Sequence, residues 1–295
     1  MSKEKYLIEK FFKSIEKPSS EIDYGIGDDG AIFKEQKNFV TSIDTSIEGT
    51  HFPLGLDPLD IAYRSLAVAC SDIYAMGAKP HSFLISISNK DSEEDWFSSF
   101  SKGVEEFIND YDCHLIGGDI TKGSTSITVT FFGNIIEKPL MRSGAQEGDY
   151  IFISGVLGRG HHDRLNIKSP EQSNHFLRPE LPKKSIFNIV KYATSCIDIS
   201  DGLLIDLERL CEASKVSYEI IFDSEFVTSG TEDLACGDDY VLCYTVNKNN
   251  VNKVKKHIVG SHCIGRILNI SKPSEILMNG RALFIDAKGW DSFNQ

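Results

Sequence analysis

Aspartates recur in loops, each beside a glycine or a predicted strand end: Asp28, Asp29, Asp44, Asp119, Asp198, Asp201, Asp238 and Asp239. Aspartate is common in turns, so each alone says little. Together they suggest hard cations, because Mg2+ takes oxygen ligands and is typically held by carboxylates jointly with substrate phosphates. If these acids converge they need counter-charge, since two carboxylates about 4 Å apart repel by roughly 4 kcal/mol at an effective dielectric near 20. Bound Mg2+ and ATP would supply linked bridges, and phosphoryl transfer needs little covalent help beyond positioning and charge neutralisation. The phosphate loop GxxxxGK[ST] is absent, so a nucleotide must be held in another way. Gly25-Ile26-Gly27-Asp28-Asp29-Gly30 has the GxGxxG spacing, but a strand rather than a helix is predicted after it, and its aspartates would repel a bare pyrophosphate. A structural turn is the plainer alternative for that segment.

Asp72 falls on the stripe of a predicted helix that also carries Ile61, Ser65, Val68, Ala69 and Met76, so it interrupts an apolar face. A carboxylate there must be protonated, bound to a metal, or paired with Arg64 or a more remote base, because an unpaired one is unfavourable by several kcal/mol. Ser200, between Asp198 and Asp201, lacks any Ser-His-Asp spacing and reads as a helix N-cap or an ATP contact. His51, in Glu48-Gly49-Thr50-His51-Phe52, adjoins an acidic strand end and could meet substrate, whereas His161-His162 is either a solvated pair or a metal site.

The elements that must position these groups are mixed. Charged, helix-periodic residues open the chain, followed by strands over 31–33 and 39–43 that form a hairpin. Asp57-Pro58 starts a helix as N-cap and N1, and Gly77 and Pro80 end it, giving a helix over 58–76. A second helix is predicted over 93–111, then strands at 114–116 and 127–131. The turn-rich stretch 142–149 separates two domains, 1–144 and 145–295. Residues 155–182 read as a loop with short helical pieces, followed by a strand into Ile197-Asp198-Ile199, a helix at 203–213 and strands near 218–222, 240–246 and 263–268. The fold class is α/β (α+β), two domains of mixed sheets with flanking helices.

Composition narrows the function. The chain has 295 residues, 41% hydrophobic and 25% charged, as an ordinary globular protein does. Its net charge of −12, without a basic stripe, argues against nucleic-acid binding. Seven scattered cysteines without a CxxC pair are expected to be reduced core thiols. No signal-peptide core or membrane-length apolar run is found, so a cytoplasmic protein with no membrane partner is expected.

The motifs GIGDDGAIF, SIDTSIEGTHF, the 57–78 helix ending in CSDIYAMGA, LIGGD, MRSGA, IDISDGL and GDDYVL occur in that order. In this the chain resembles the thiamine-monophosphate kinase family, within the aminoimidazole-ribonucleotide-synthetase-like superfamily. The resemblance implies a two-domain fold, a homodimer joined through N-terminal sheets, several Mg2+ ions, and direct transfer from ATP to thiamine monophosphate. It puts metal ligands at Asp29, Ser42, the backbone of Ile43, Asp44, Asp72, Asp119, Asp198 and Asp201. It implies ATP contacts at Gly118, Asp119, Arg142 and Ser200, acceptor contacts at His51, Asp238 and Trp290, and catalytic roles for Asp201 and Arg142. Asp238 and Val241 stand where relatives commonly carry Glu, and Ile43 where Thr is common, which bears on the substrate pocket rather than on the metal chemistry. Two rivals remain: another ATP-using member of the superfamily, and a catalytically silent nucleotide- or metal-binding protein.

Overall fold

The structure is a computed structural model that describes residues 22–24, 31–33, 39–90, 94–167, 174–286 and 289–291. The expected N-terminal helix and the loop holding Asp28 and Asp29 lie outside the described residues. The first sheet is built from β1 (Ile22–Tyr24), β2 (Ala31–Phe33), β3 (Phe39–Ile47), β4 (Ala78–Asn89), β5 (His114–Lys122) and β6 (Ser126–Ile135), in the order β1-β2-β3-β6-β4-β5. The hairpin is present, Ala31 pairing with Thr41 and Ile32 with Val40.

Helix α1 (Pro58–Ala75) covers one face of that sheet beside α2 (Glu94–Tyr111). The Asp57 side chain accepts from the Leu59 N–H at 2.9 Å, and Pro58 supplies the preset φ of a first helical residue. Gly77, at φ +73°, ends the helix in a conformation that favours glycine. The chain then runs straight into β4, a twelve-residue strand that the sequence reading does not contain. Pro80 inside it explains the omission. Proline cannot donate to a ladder, and the pairing with β6 slips between Pro80 and Ser82, the irregularity that accommodates it. The strand at 114–116 also continues to Lys122: Gly118 is squeezed so close to β4 that a Cβ would meet the Ile85 carbonyl oxygen.

The second sheet uses β7 (Tyr150–Ile153), β8 (Ala193–Ile199), β9 (Val216–Ile221), β10 (Val241–Val246), β11 (His262–Asn269), β12 (Glu275–Met278) and β13 (Arg281–Ala282), in the order β13-β12-β9-β11-β7-β10-β8. Four helices accompany it, α3 (Arg159–Leu165), α4 (Ile186–Tyr192), α5 (Leu203–Ser214) and α6 (Val251–His257). α1 packs against β3, β4 and β6 on one side and against β8 and β10 on the other. One apolar cluster therefore runs from Leu66, Phe83 and Phe131 through to Phe152, Leu242 and Tyr244, while α5 closes a second around Ile153, Ile199 and Leu207. Five cysteines are buried, Cys236 is half-buried and Cys263 is exposed, so the last is a surface thiol rather than a core one. Among the described residues no helix is long and apolar enough to cross a membrane.

Candidate active site

α1 is the spine of the site. Arg64 and Ser71 lie seven residues apart, two turns along one stripe, and Asp72 follows on the adjoining stripe. Towards the first sheet, Asp72 accepts a hydrogen bond from Ser42 Oγ at 2.6 Å. Towards the second, Ser71 Oγ donates to Asp198 Oδ2 at 2.7 Å at the end of β8. Arg64 is not the partner of Asp72; it reaches the Asp238 carboxylate instead. One helix thus ties together acidic groups from both sheets.

Ser42 and Asp44 alternate onto the α1 face of β3, and the Thr45 N–H donates to Asp44 Oδ1 at 2.7 Å. Burial pushes the Asp44 carboxyl up from the ordinary carboxylate value, and the charge of Asp201 adds to the rise, so these two acids from different sheets sense each other. The Thr45 N–H, His51 and Arg64 oppose it. His51 accepts the Ile47 N–H at Nδ1, 3.0 Å away, and burial lowers its pKa, so the neutral ring presents an N–H at Nε2.

Asp201 is held by Arg209 Nη1 at 2.7 Å, which also reaches Asp206 Oδ1 at 2.7 Å. Asp206 Oδ2 accepts the N–H groups of Ser200 and Asp201, both at 3.1 Å, and fixes the turn that carries them. Burial, then the Asp201 charge, pushes the Asp206 carboxyl up to about 7. Ser200 does not cap α5: Gly202 occupies that position, without a side-chain cap. Trp290 is tied to the same turn, its backbone N–H donating to the Asp201 carbonyl at 2.8 Å.

Asp238 Oδ1 takes Arg64 and, at 3.3 Å, the Tyr240 hydroxyl; its Oδ2 lies 3.6 Å from Arg164. The Arg164 guanidinium is also 5.8 Å from the centre of the Trp290 ring, so Arg164 stands between Asp238 and Trp290. Asp238 and Tyr240 adopt φ of +71° and +51°, uncommon for residues with side chains. Their neighbour Asp239 holds the turn: its oxygens accept the N–H groups of Gly158 at 2.8 Å and Gly160 at 3.2 Å. Gly160 sits where a Cβ would collide with the Asp238 carbonyl. His162 Nε2 is 3.0 Å from Asp233 Oδ1, while Asp233 Oδ2 accepts from the N–H groups of Thr228 and Ser229, which places His162 in a structural contact.

Burial outweighs the two N–H donors on Asp239 and pushes its carboxyl up to about 7. The unfolded chain would release that proton near pH 4, so the associated stability is complete below about pH 4 and is lost as pH rises through about 7. The melting temperature is expected to fall more steeply from about pH 4 to about pH 7 in the parent than in Asp239→Asn. Parallel thermal melts across that range would contradict the assignment.

The structure does not gather every expected residue. Pairing aligns Asp119 with Ser86, Thr128 and Thr45, whereas Asp44 aligns with Val129, Ile85 and Gly118. Asp119 and Asp44 therefore face opposite sides of the first sheet, a register effect that motif order cannot reveal. The Ile43 side chain is on the outer face with Asp119, leaving only its backbone for the site. The Arg142 carbonyl accepts from Ser214 Oγ at 2.8 Å, and the Arg142 charge is felt by Arg209. Arg164, Arg209 and Asp206 are absent from the sequence-derived set, and Asp239 is in it as a possible cation ligand rather than as a holder of backbone N–H groups; an aspartate on the apolar stripe of a helix, as Asp206 is beside Leu203, Leu207 and Leu210, is the available signal.

The donor set fits Mg2+. Ser42, Asp44, Asp72 and the β3 backbone offer oxygen only, and the raised Asp44 carboxyl is one whose charged form a cation would favour. Among the described residues no three His, Cys, Asp or Glu side chains enclose an ion on their own, and Mg2+ characteristically completes its shell with waters and substrate phosphates.

Residues 27–135 match the family model described as AIR synthase related protein, N-terminal domain. The chain is 35% identical to a thiamine-monophosphate kinase of Buchnera aphidicola subsp. Schizaphis graminum, over 97% of this chain and 98% of the relative. The solved thiamine-monophosphate kinase of Stenotrophomonas maltophilia K279a superposes with a TM-score of 0.74 at 30% identity, covering 90% of this chain and 93% of the other. A structure described as AaThiL complexed with AMPPCP and TMP superposes with a TM-score of 0.80 at 29% identity, covering 96% and 95%.

Proposed function

The chain belongs to the thiamine-monophosphate kinase family, and from that premise we propose how its residues carry the reaction. The enzyme transfers the γ-phosphoryl group of ATP to the phosphate of thiamine monophosphate, giving thiamine diphosphate and ADP. The observation that carries this function is the convergence on α1 of an acidic edge, Asp72 and Asp198, and the Asp238 carboxylate, with Asp44 and His51 close to Arg64 between them. An acceptor phosphate oxygen attacks the γ-phosphorus while the bond to the β-bridging oxygen breaks. A phosphate monoester with a second pKa near 6 is largely ionised at neutral pH, so the attack needs no general base. His51, neutral with an N–H at Nε2, serves instead as a donor that orients the acceptor phosphate. Mg2+, when bound, would supply charge screening for the phosphates and for the departing ADP. Asp44, Ser42, the Ile43 carbonyl, Asp72, Asp198 and Asp201 would hold such ions, with Asp29 completing the set; Asp119, facing the opposite side of the first sheet from Asp44, would act at the outer face instead. Gly118, Asp119, Arg142 and Ser200 bind ATP, Arg142 neutralising its phosphates. His51, Asp238 and Trp290 bind the acceptor, and residues 1–144 and 145–295 act as the two domains.

Incubating the protein with ATP, Mg2+ and a panel of phosphorylated acceptors, with products identified by mass, tests this function. Thiamine diphosphate is the expected product, and a different phosphorylated acceptor would replace the assignment.

The protein acts as a cytoplasmic homodimer. This is supported by the outer face of the first sheet, where Ile43 and Leu84 align across Thr130 and stand 65% and 37% exposed, beside the exposed Ile116 of edge strand β5. Asp119 lies on that same face, so a second copy seated there would adjoin the ATP site. Leu84→Asp is expected to convert the dimer to monomer in sedimentation and to reduce turnover with it. A parent protein that is monomeric at micromolar concentration yet active would contradict the assembly.

A further inference from the structure

Arg64 is 3% exposed on an apolar helix, where a guanidinium is costly unless every donor has a purpose. Its Nη1 donates to the Phe176 carbonyl at 2.6 Å, its plane lies 3.6 Å from the centre of the Phe176 ring, and its Nη2 grips Asp238 Oδ1. The grip is one-sided. Oδ1 is taken by Arg64 and Tyr240, whereas Oδ2 is left on the side of the half-exposed Arg164, next to Trp290. Asp238 stands in a turn with two left-handed residues whose backbone is held by the Asp238 N–H on the Ser200 carbonyl at 2.9 Å and the Tyr240 N–H on the Ile199 carbonyl at 2.8 Å, so what is left for Arg64 to fix is the rotation of the carboxylate itself.

We infer that Arg64 is a positioning residue for the acceptor: it anchors one oxygen of Asp238 so that the other faces the acceptor pocket. This rests on the assignment of Asp238 to the acceptor site. Arg64 would act mainly on the acceptor half of the reaction because its donors contact the Phe176 carbonyl and Asp238, not the Ser42–Asp72 or Ser71–Asp198 pairs on the same helix, and Arg64→Lys keeps the charge that Asp44 senses. A purely structural ion pair would instead act on stability and on all kinetic constants together.

Steady-state kinetics with each substrate varied separately, on Arg64→Lys, Arg64→Gln, Asp238→Asn and the Arg64→Gln/Asp238→Asn double variant, tests the inference. Arg64→Gln is expected to raise the KM for thiamine monophosphate about tenfold or more, with kcat within about threefold and the ATP KM within about twofold. Arg64→Lys retains charge without the planar fork, so a smaller rise in the same constant is expected. The double variant should be no worse than the poorer single one, because the two changes remove one interaction. If Arg64→Gln does not fold, the lysine and double variants still decide, since neither leaves the carboxylate buried without a partner. Arg64 variants with the parent's acceptor KM, alongside an Asp238→Asn enzyme with a raised one, would overturn the inference and leave Asp238 in the site. A uniform decline of kcat, both KM values and melting temperature would overturn it too. An unchanged acceptor KM in Asp238→Asn would remove Asp238 from the site, and the inference with it.

Discussion

Asp44→Asn is expected to lower kcat by about a thousandfold, a loss of roughly 4 kcal/mol of transition-state stabilisation, while leaving the fold intact. The carboxamide has the same shape and keeps an oxygen to accept the Thr45 N–H that Asp44 now accepts at 2.7 Å. It removes the charge with which Asp44 is proposed to hold a cation. Burial already disfavours the ionised form of Asp44, and Asp201 adds to that, so the neutral side chain is expected to leave the melting temperature unchanged or to raise it. Turnover and stability therefore move independently, which separates a site residue from a structural one. Kinetics with saturating ATP and Mg2+, paired with thermal melts, check this. Near-parent turnover would remove Asp44 from the ligand set.

Trp290→Ala is expected to weaken thiamine monophosphate binding by about 1–3 kcal/mol, roughly 5- to 150-fold, the scale of an aromatic stacking contact. The ring is placed for it: the Trp290 backbone is pinned to the Asp201 carbonyl, and the ring lies beside Arg164, which is itself 3.6 Å from Asp238. A flat apolar face there would complement a heteroaromatic acceptor whose phosphate points towards the acidic edge. ATP affinity is expected to change little, because truncation leaves Ser42, Asp44, Asp72 and the Asp201 turn in place. Separate titrations of the two substrates, with circular dichroism as the folding control, give the comparison. Equal weakening of both substrates would show a general disturbance of the Asp201 turn rather than a lost acceptor contact.

The parts of this site that were legible in the sequence are those set by local chemistry. Asp57-Pro58 and Gly77 marked α1 because caps act within a turn, and the interrupted apolar stripe singled out Asp72 before its partner was known. The order of the acidic motifs implied the family because each motif is contiguous. What escaped was set by tertiary partners. β4 was hidden by Pro80, whose missing N–H falls at a pairing irregularity that only β6 creates. The face occupied by Asp119 depends on strand register, and a shift of one residue would reverse it. Arg64 was weighed as a neighbour of Asp72, but its partner stands 174 residues away in sequence, beyond any local pattern. Asp239 and Asp206 matter through backbone N–H groups that they hold, a role invisible without the fold.

Direct, metal-dependent transfer between two small molecules is tested by ATP labelled with oxygen-18 on its γ-phosphoryl group. With thiamine monophosphate and Mg2+, mass spectrometry should find the label in the terminal phosphoryl group of thiamine diphosphate, ADP formed in equal amount, no phosphorylated protein, and no transfer after chelation. Labelled inorganic phosphate without thiamine diphosphate, a labelled protein intermediate, or undiminished transfer in excess chelator would contradict it.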